Sequence, residues 1–209
     1  MDKKTRYSDT LKRFAPEVYV PYLVDLILKS KVIFKIVPGR KSKLGDFRAN
    51  APGELPMITV NGDLNQYSFL VTTLHEIAHL KTFNQYGHHV NPHGEEWKNA
   101  FRELLIPVLD SNYLPVELEK ALWKSFTNTK ASSCSDLNLS RALKKYDKPT
   151  LNQTHTLEEI PMYSQFSLNG RVFKKGNLRR SRYLCTDFAG KQYLVHALAT
   201  IEIIENNEK

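Results

Sequence analysis

Cysteine is scarce in this 209-residue chain: Cys134 and Cys185 stand alone and far apart. Two such residues exclude a disulfide framework and a paired-cysteine metal knuckle, and they suit a reducing, cytoplasmic setting. No apolar run approaches the length needed to cross a bilayer, so no membrane partner is expected. The basic opening "MDKKTRYSDTLKRF" lacks an apolar stretch and a small-residue cleavage site, and no signal peptide is expected there. No internal repeat is visible. What remains is ordinary globular composition, 41% hydrophobic and 25% charged, with a net charge of +8. That surplus permits a polyanionic partner.

Periodicity gives a mixed α+β reading. Val20, Leu23, Val24, Ile27 and Leu28 share a helical face over residues 16–30, with Pro21 tolerated in the first turns. "KVIFKIVP", "GDFRAN" and "PMITVN" read as three short strands. A helix is expected from Asp63, which with Gln66 resembles a capping box, to a stop at Gly87. A second begins near Gly94 and buries Trp97, Phe101, Leu104 and Leu105. Residues 114–126 and "LNLSRALKKYD" read as further helices. Beyond the linker "KPTLNQTHT" the pattern turns to strands around an Asn169-Gly170 hairpin. Two domains follow, residues 1–150 and 151–209.

The chemistry concentrates in "LHEIAHLKTFNQYGHHVNPHGEEW", residues 74–97, which holds five of the seven histidines. His75 and His79 lie four apart on one helix face, a spacing that lets two imidazoles chelate one Zn²⁺. Glu76 between them completes HExxH, the arrangement that sets a general base beside a metal-activated water. A solvated helix carrying two histidines by accident leaves Leu74, Ile77, Ala78 and Leu80 unexplained, because these imply burial. A catalytic zinc takes a third protein ligand. Spacing leaves His88, His89, His93, Glu95 and Glu96 as candidates, with His88 and His89 expected in a solvent-facing loop. His155 and His196 read as surface or strand positions, and Cys134 has no adjacent base.

"HEIAHL" followed by "NPHGEEWKNAF" resembles the SprT family of zinc metalloproteases, including the Spartan-type proteases that act on DNA-bound proteins. The family pattern is HExxH, a loop, then a histidine and glycine with a glutamate and an aromatic just beyond. The matching positions are His93, Gly94, Glu96 and Trp97, and the likeness covers roughly residues 16–110. The resemblance implies a zincin-like domain with helices on a small antiparallel sheet. It implies one catalytic zinc on His75, His79 and His93, and Trp97 packing the next helix against the site. It also implies peptide hydrolysis with Glu76 as general base, acting on protein substrates held on DNA. The alternative from another class is a non-enzymatic, zinc-stabilised protein that regulates by binding DNA or protein.

Many SprT-like proteins end in a zinc ribbon with two cysteine pairs. Here only Cys185 stands at a ligand position, and Phe188 occupies its partner's place. The expectation is a ribbon-shaped, metal-free β module held by Phe166, Phe173, Tyr183, Phe188 and Tyr193. Two basic runs are candidate nucleic-acid contacts: Arg40, Lys41 and Lys43, and then Lys174, Lys175, Arg179, Arg180 and Arg182.

Overall fold

The computed structural model describes residues 2–40, 42–51, 53–127, 136–148 and 155–204. By residue number the chain separates into two compact units, Met1–Cys134 with Ala142–Asp147, and Ser135–Arg141 with Lys148–Lys209. Among the described residues no helix is long and apolar enough to cross a membrane.

The first unit opens with α1 (Lys3–Leu11), which the sequence reading does not assign. Its face is weakly apolar, and it is anchored by Asp2, which accepts from the Thr5 N–H, and by the fully buried Leu11. A 3₁₀ turn leads into α2 (Val20–Lys29), which buries Val20, Leu23, Val24 and Ile27 as its periodicity predicts. Strands β1 (Ile33–Val37), β2 (Gly45–Arg48) and β3 (Met57–Asn61) follow. They form a sheet in the order β1-β3-β2, with Ile58 and Val60 of the central strand wholly buried.

This sheet is mixed, not antiparallel as expected. β1 runs parallel to β3, with Ile33 opposite Met57 and Val37 opposite Asn61. β2 runs antiparallel to it, with Gly45 opposite Val60. Strand patterning reports which face is buried but not strand direction. Here residues 38–44 connect β1 on one side of β3 to β2 on the other.

Helix α3 (Gln66–Tyr86) is capped by Asn65, whose Oδ1 accepts from the N–H groups of Tyr67 and Ser68 at 3.1 and 2.9 Å. The expected cap, Asp63, lies before the helix, its carboxylate filling the space where a Cβ on Gly39 would stand. Asn65 also donates to the Leu143 carbonyl and the Asp147 carboxylate, so long-range contacts select it over Asp63. α3 is buried on most sides, which suits a helix central to its unit. Gly87, at φ +62, ends it. α4 (Glu95–Leu109) buries Trp97, Phe101, Leu104 and Leu105, and α5 (Val116–Thr127) and α6 (Leu137–Lys144) follow.

The second unit is a six-stranded antiparallel sheet. Its strands are β4 (His155–Thr156), β5 (Gln165–Leu168), β6 (Arg171–Arg179), β7 (Arg182–Asp187), β8 (Gln192–His196) and β9 (Thr200–Ile203). They run in the order β4-β9-β5-β6-β7-β8. Asn169 and Gly170 turn the β5–β6 hairpin with φ of +52 and +74, the left-handed pair such a turn needs. Leu157, Ile160, Phe166, Phe173, Cys185, Val195 and Ile201 form the core, with Tyr183 and Tyr193 packed against it. Phe188 is not part of that core: it is 80% exposed, because it sits in the β7–β8 turn where no strand face covers it. Cys134 and most of the linker lie outside the described residues.

Candidate metal centre

His75 and His79 sit one turn apart on α3, and the chain reverses after Gly87 to bring back His93 just before α4. The three Nε2 atoms form a near-equilateral triangle. The edges are 3.1 Å from His75 to His79, 3.0 Å from His79 to His93 and 3.1 Å from His93 to His75. They are the one group of three or more potential ligands brought together among the described residues. His88 and His89 are exposed, as expected of the loop, and Glu95 is exposed and paired with Lys98. The third position left open by spacing therefore falls to His93.

His93 reaches this place with φ +60, a left-handed conformation that histidine adopts more readily than β-branched residues do. The next peptide is pinned by the Gly94 N–H donating to the Asn91 carbonyl at 2.9 Å. Three imidazole nitrogens aimed at one point cannot satisfy each other, because each is either a donor or a lone pair. A cation held by all three would satisfy them, and nitrogens this close suit metal–nitrogen bonds of about 2.0–2.1 Å. The chemistry of the donor set fits as well. Burial, then the neighbouring histidines, pushes His75 down to about 2 and His79 to about 4, and burial lowers His93. The rings are thus held neutral, as metal ligands must be.

Trp97 backs the cluster. Its ring centroid lies 4.6 Å from that of His75, 5.3 Å from His79 and 4.7 Å from His93. It is 1% exposed and stacks on Phe101. From the sheet side Phe47 lies nearly parallel to the His79 ring.

Glu76 is 6% exposed and faces β2. A Cβ on Gly45 would fall 2.5 Å from its Oε1, so glycine makes room for this carboxylate. Burial, reinforced by the negative charge of Asp46, pushes Glu76 up to about 7, while Arg40, Lys43 and the Phe47 N–H pull the other way. A buried carboxyl half-protonated near neutrality can accept and return a proton.

The segment 38–48 is organised by Asn61, buried at the end of β3. Its Oδ1 accepts from Arg40 Nε at 2.8 Å, and its Nδ2 donates to the carbonyls of Arg40 and Lys43 at 3.2 and 2.9 Å. Asp46 binds Lys43 at 2.7 Å and Arg48 at 2.6 Å. Arg40 and Lys43, expected as nucleic-acid contacts, are held by Asn61 and by Asp46 respectively. Lys41 lies outside the described residues. Gly45, Asp46, Phe47 and Asn61 went unrecognised in the sequence; a polar Asn closing the apolar strand "PMITVN" was the one signal available.

The second basic run divides. Lys175 is 2% exposed, donates to the Ile160 and Glu158 carbonyls at 2.7 and 3.3 Å and lies over the Tyr183 ring, so it is no polyanion contact. It alternates onto the inner face of β6 beside Phe173. Lys174 is exposed on the other face. Arg179, Arg180 and Arg182 are exposed around the β6–β7 turn, Arg179 opposite Arg182.

Residues 55–118 match the SprT-like family. That span carries β3, α3, α4, all three clustered histidines, Glu76 and Trp97. The matched segment excludes β1 and β2, although Gly45 of β2 lies against its glutamate. No curated protein and no solved structure matches the chain.

Proposed function

We propose that the protein is a zinc-dependent peptidase of the SprT-like kind, with His75, His79 and His93 as ligands. The single observation that carries this reading is the convergence of three neutral imidazole nitrogens beside a buried, proton-accepting glutamate. Bound zinc would supply Lewis acidity toward water and toward the scissile carbonyl. Glu76 takes a proton from the attacking water and returns it to the leaving amine. Trp97 and Phe101 close the inner side of the site against water. A protein that used the metal only for stability would have no need of a buried glutamate at this place, since ligation does not involve it.

The substrate class in this reading is protein held on DNA, with the chain docking through positive charge. What supports it is the β6–β7 turn, where Arg179 and Arg182 are cross-strand neighbours and Arg180 is exposed in the turn that joins them. None of the three makes an ion pair among the described residues. Like charges facing each other across a strand pair oppose folding, and phosphates relieve that repulsion. Scarcity of cysteine supports a cytoplasmic setting.

The test is cleavage of casein and of a DNA-bound protein by zinc-loaded protein, with and without single-stranded DNA, against chelated protein and Glu76→Gln. Cleavage lost on chelation and in Glu76→Gln is expected. Zinc bound tightly with no hydrolysis under any condition would leave the non-enzymatic regulator as the function.

A further inference from the structure

Helix α3, which carries His75 and His79, and helix α4, which starts just after His93, border a cavity of about 270 Å³ that the chemistry above does not use. Its walls include Thr82, Gln85 and Tyr86 of α3 and Glu96, Asn99 and Ala100 of α4. Thr82 and Tyr86 follow His79 by three and seven residues, so they continue the same side of the helix past the ligand. Glu96 follows His93 by three residues. Its Oε2 lies 3.1 Å from where a Cβ on Gly94 would stand, so the carboxylate turns back toward the bend that delivers His93. The cavity therefore begins within three residues of a ligand on each of its two walls.

We propose that this cavity is a substrate subsite that takes a lysine or arginine side chain of the peptide being cut, with Glu96 as its charged anchor. The inference deepens the peptidase reading and rests on it for the cut, but not for the binding. Two other glutamates border the cavity, and both are already matched: Glu103 pairs with Lys81 across the groove, and Glu95 pairs with Lys98. Glu96 is half-buried and has no ion pair among the described residues. A carboxylate partly withdrawn from water without a cation carries a cost that a bound cation offsets. The volume lies below the usual range for whole ligands, about 300–1,000 Å³, and suits one long side chain. An apolar stem fits along Ala100 and the Tyr86 ring while the charged head meets Glu96. Proteins held on DNA meet phosphate through lysine and arginine, so this preference matches that substrate class.

The experiment measures binding of fluorescently labelled alanine–serine peptides that carry one lysine, norleucine or glutamate at each position in turn. The proteins are zinc-loaded Glu76→Gln, chosen because it should hold peptide without cutting it, and zinc-loaded Glu76→Gln/Glu96→Gln. At one position lysine should bind the first protein about threefold to fivefold tighter than norleucine, with glutamate weakest. That ratio should collapse in the second protein and shrink as salt rises. Ala100→Leu, which narrows the cavity, should weaken lysine and norleucine alike at that position. Zinc content should be the same throughout. A Glu96 that served only the first turn of α4 would lower the melting temperature on substitution and leave the ratio alone. That result, equal binding of lysine and norleucine at every position, or no peptide binding would each overturn the proposal. Wild-type turnover separates the two readings. Hydrolysis of every peptide without preference keeps the peptidase and removes the subsite; a Glu96-dependent preference with no hydrolysis by wild type keeps the subsite and removes the peptidase.

Discussion

The Nε2 atoms of His79 and His93 lie 3.0 Å apart across fourteen residues of chain. The backbone at residue 93 must be left-handed to achieve this. Replacing His93 with Asn, which tolerates that conformation, should keep the fold and weaken zinc binding on the order of a hundredfold or more. Competition titration against a chelator measures it. Unaltered affinity would remove His93 from the ligand set.

Glu76→Gln should retain zinc and lose about 10²–10⁴-fold in turnover, the usual worth of a general base. Gly45→Ala should resemble it, because the added methyl enters the space of the carboxylate. Zinc stoichiometry measured alongside peptide turnover separates these two variants from ligand loss.

How far the sequence could be read depends on distance along the chain. His75 and His79 are one helical turn apart, so their shared face is legible from spacing alone. The buried faces of α2 and α4 follow from periodicity in the same way. The direction of β1 did not, because pairing with β3 is set by a connection that leaves no periodic trace. Asn65 displaced Asp63 as the cap through contacts with Leu143 and Asp147, some eighty residues on. Lys175 and Phe188 reversed their expected places for a local reason: strand alternation turned the lysine inward, and the hairpin turn pushed the phenylalanine out. The Arg40–Asn61 hydrogen bonds and the room that Gly45 leaves for Glu76 each join distant stretches and were invisible.

Stability of the metal-free protein should fall as pH drops below 6.5. The histidines titrate at about 2 and 4 in the fold, with His93 also lowered, against an ordinary value of 6.5. Between those limits the unfolded chain binds more protons, so stability rises with pH there. Glu76, raised from 4.5 to about 7, acts in the opposite sense, losing stability as pH rises through that range. Three histidines outweigh one carboxyl. Thermal melting of metal-free protein between pH 7 and 5 should show a decline, and in His75→Gln/His79→Gln/His93→Gln protein the decline should shrink or reverse.

Trp97→Ala should cost about 3–5 kcal/mol, the range for emptying a large aromatic site. Because Trp97 touches all three imidazoles, zinc affinity should fall in the same variant. Urea unfolding with and without zinc measures both; a change in stability alone would confine Trp97 to packing.

Neutralising Arg179, Arg180 and Arg182 to Gln should weaken single-stranded DNA binding and flatten its salt dependence, by about one in log–log slope for each phosphate no longer neutralised. Lys175→Met should leave that slope unchanged while lowering the melting temperature, since two carbonyls lose their donor. Equal slopes in wild type and the triple variant would remove the turn from the interface.

The three imidazoles come from nineteen consecutive residues on a helix and the bend that follows it. The surroundings of Glu76, by contrast, are supplied by chain that precedes it by some thirty residues and lies outside the SprT-like segment. Gripping an ion and using it are therefore written in different parts of the polypeptide. Damage confined to β1, β2 or the stretch between them should yield a molecule that still captures zinc but leaves it idle, and a metal assay alone would pass such a protein as sound.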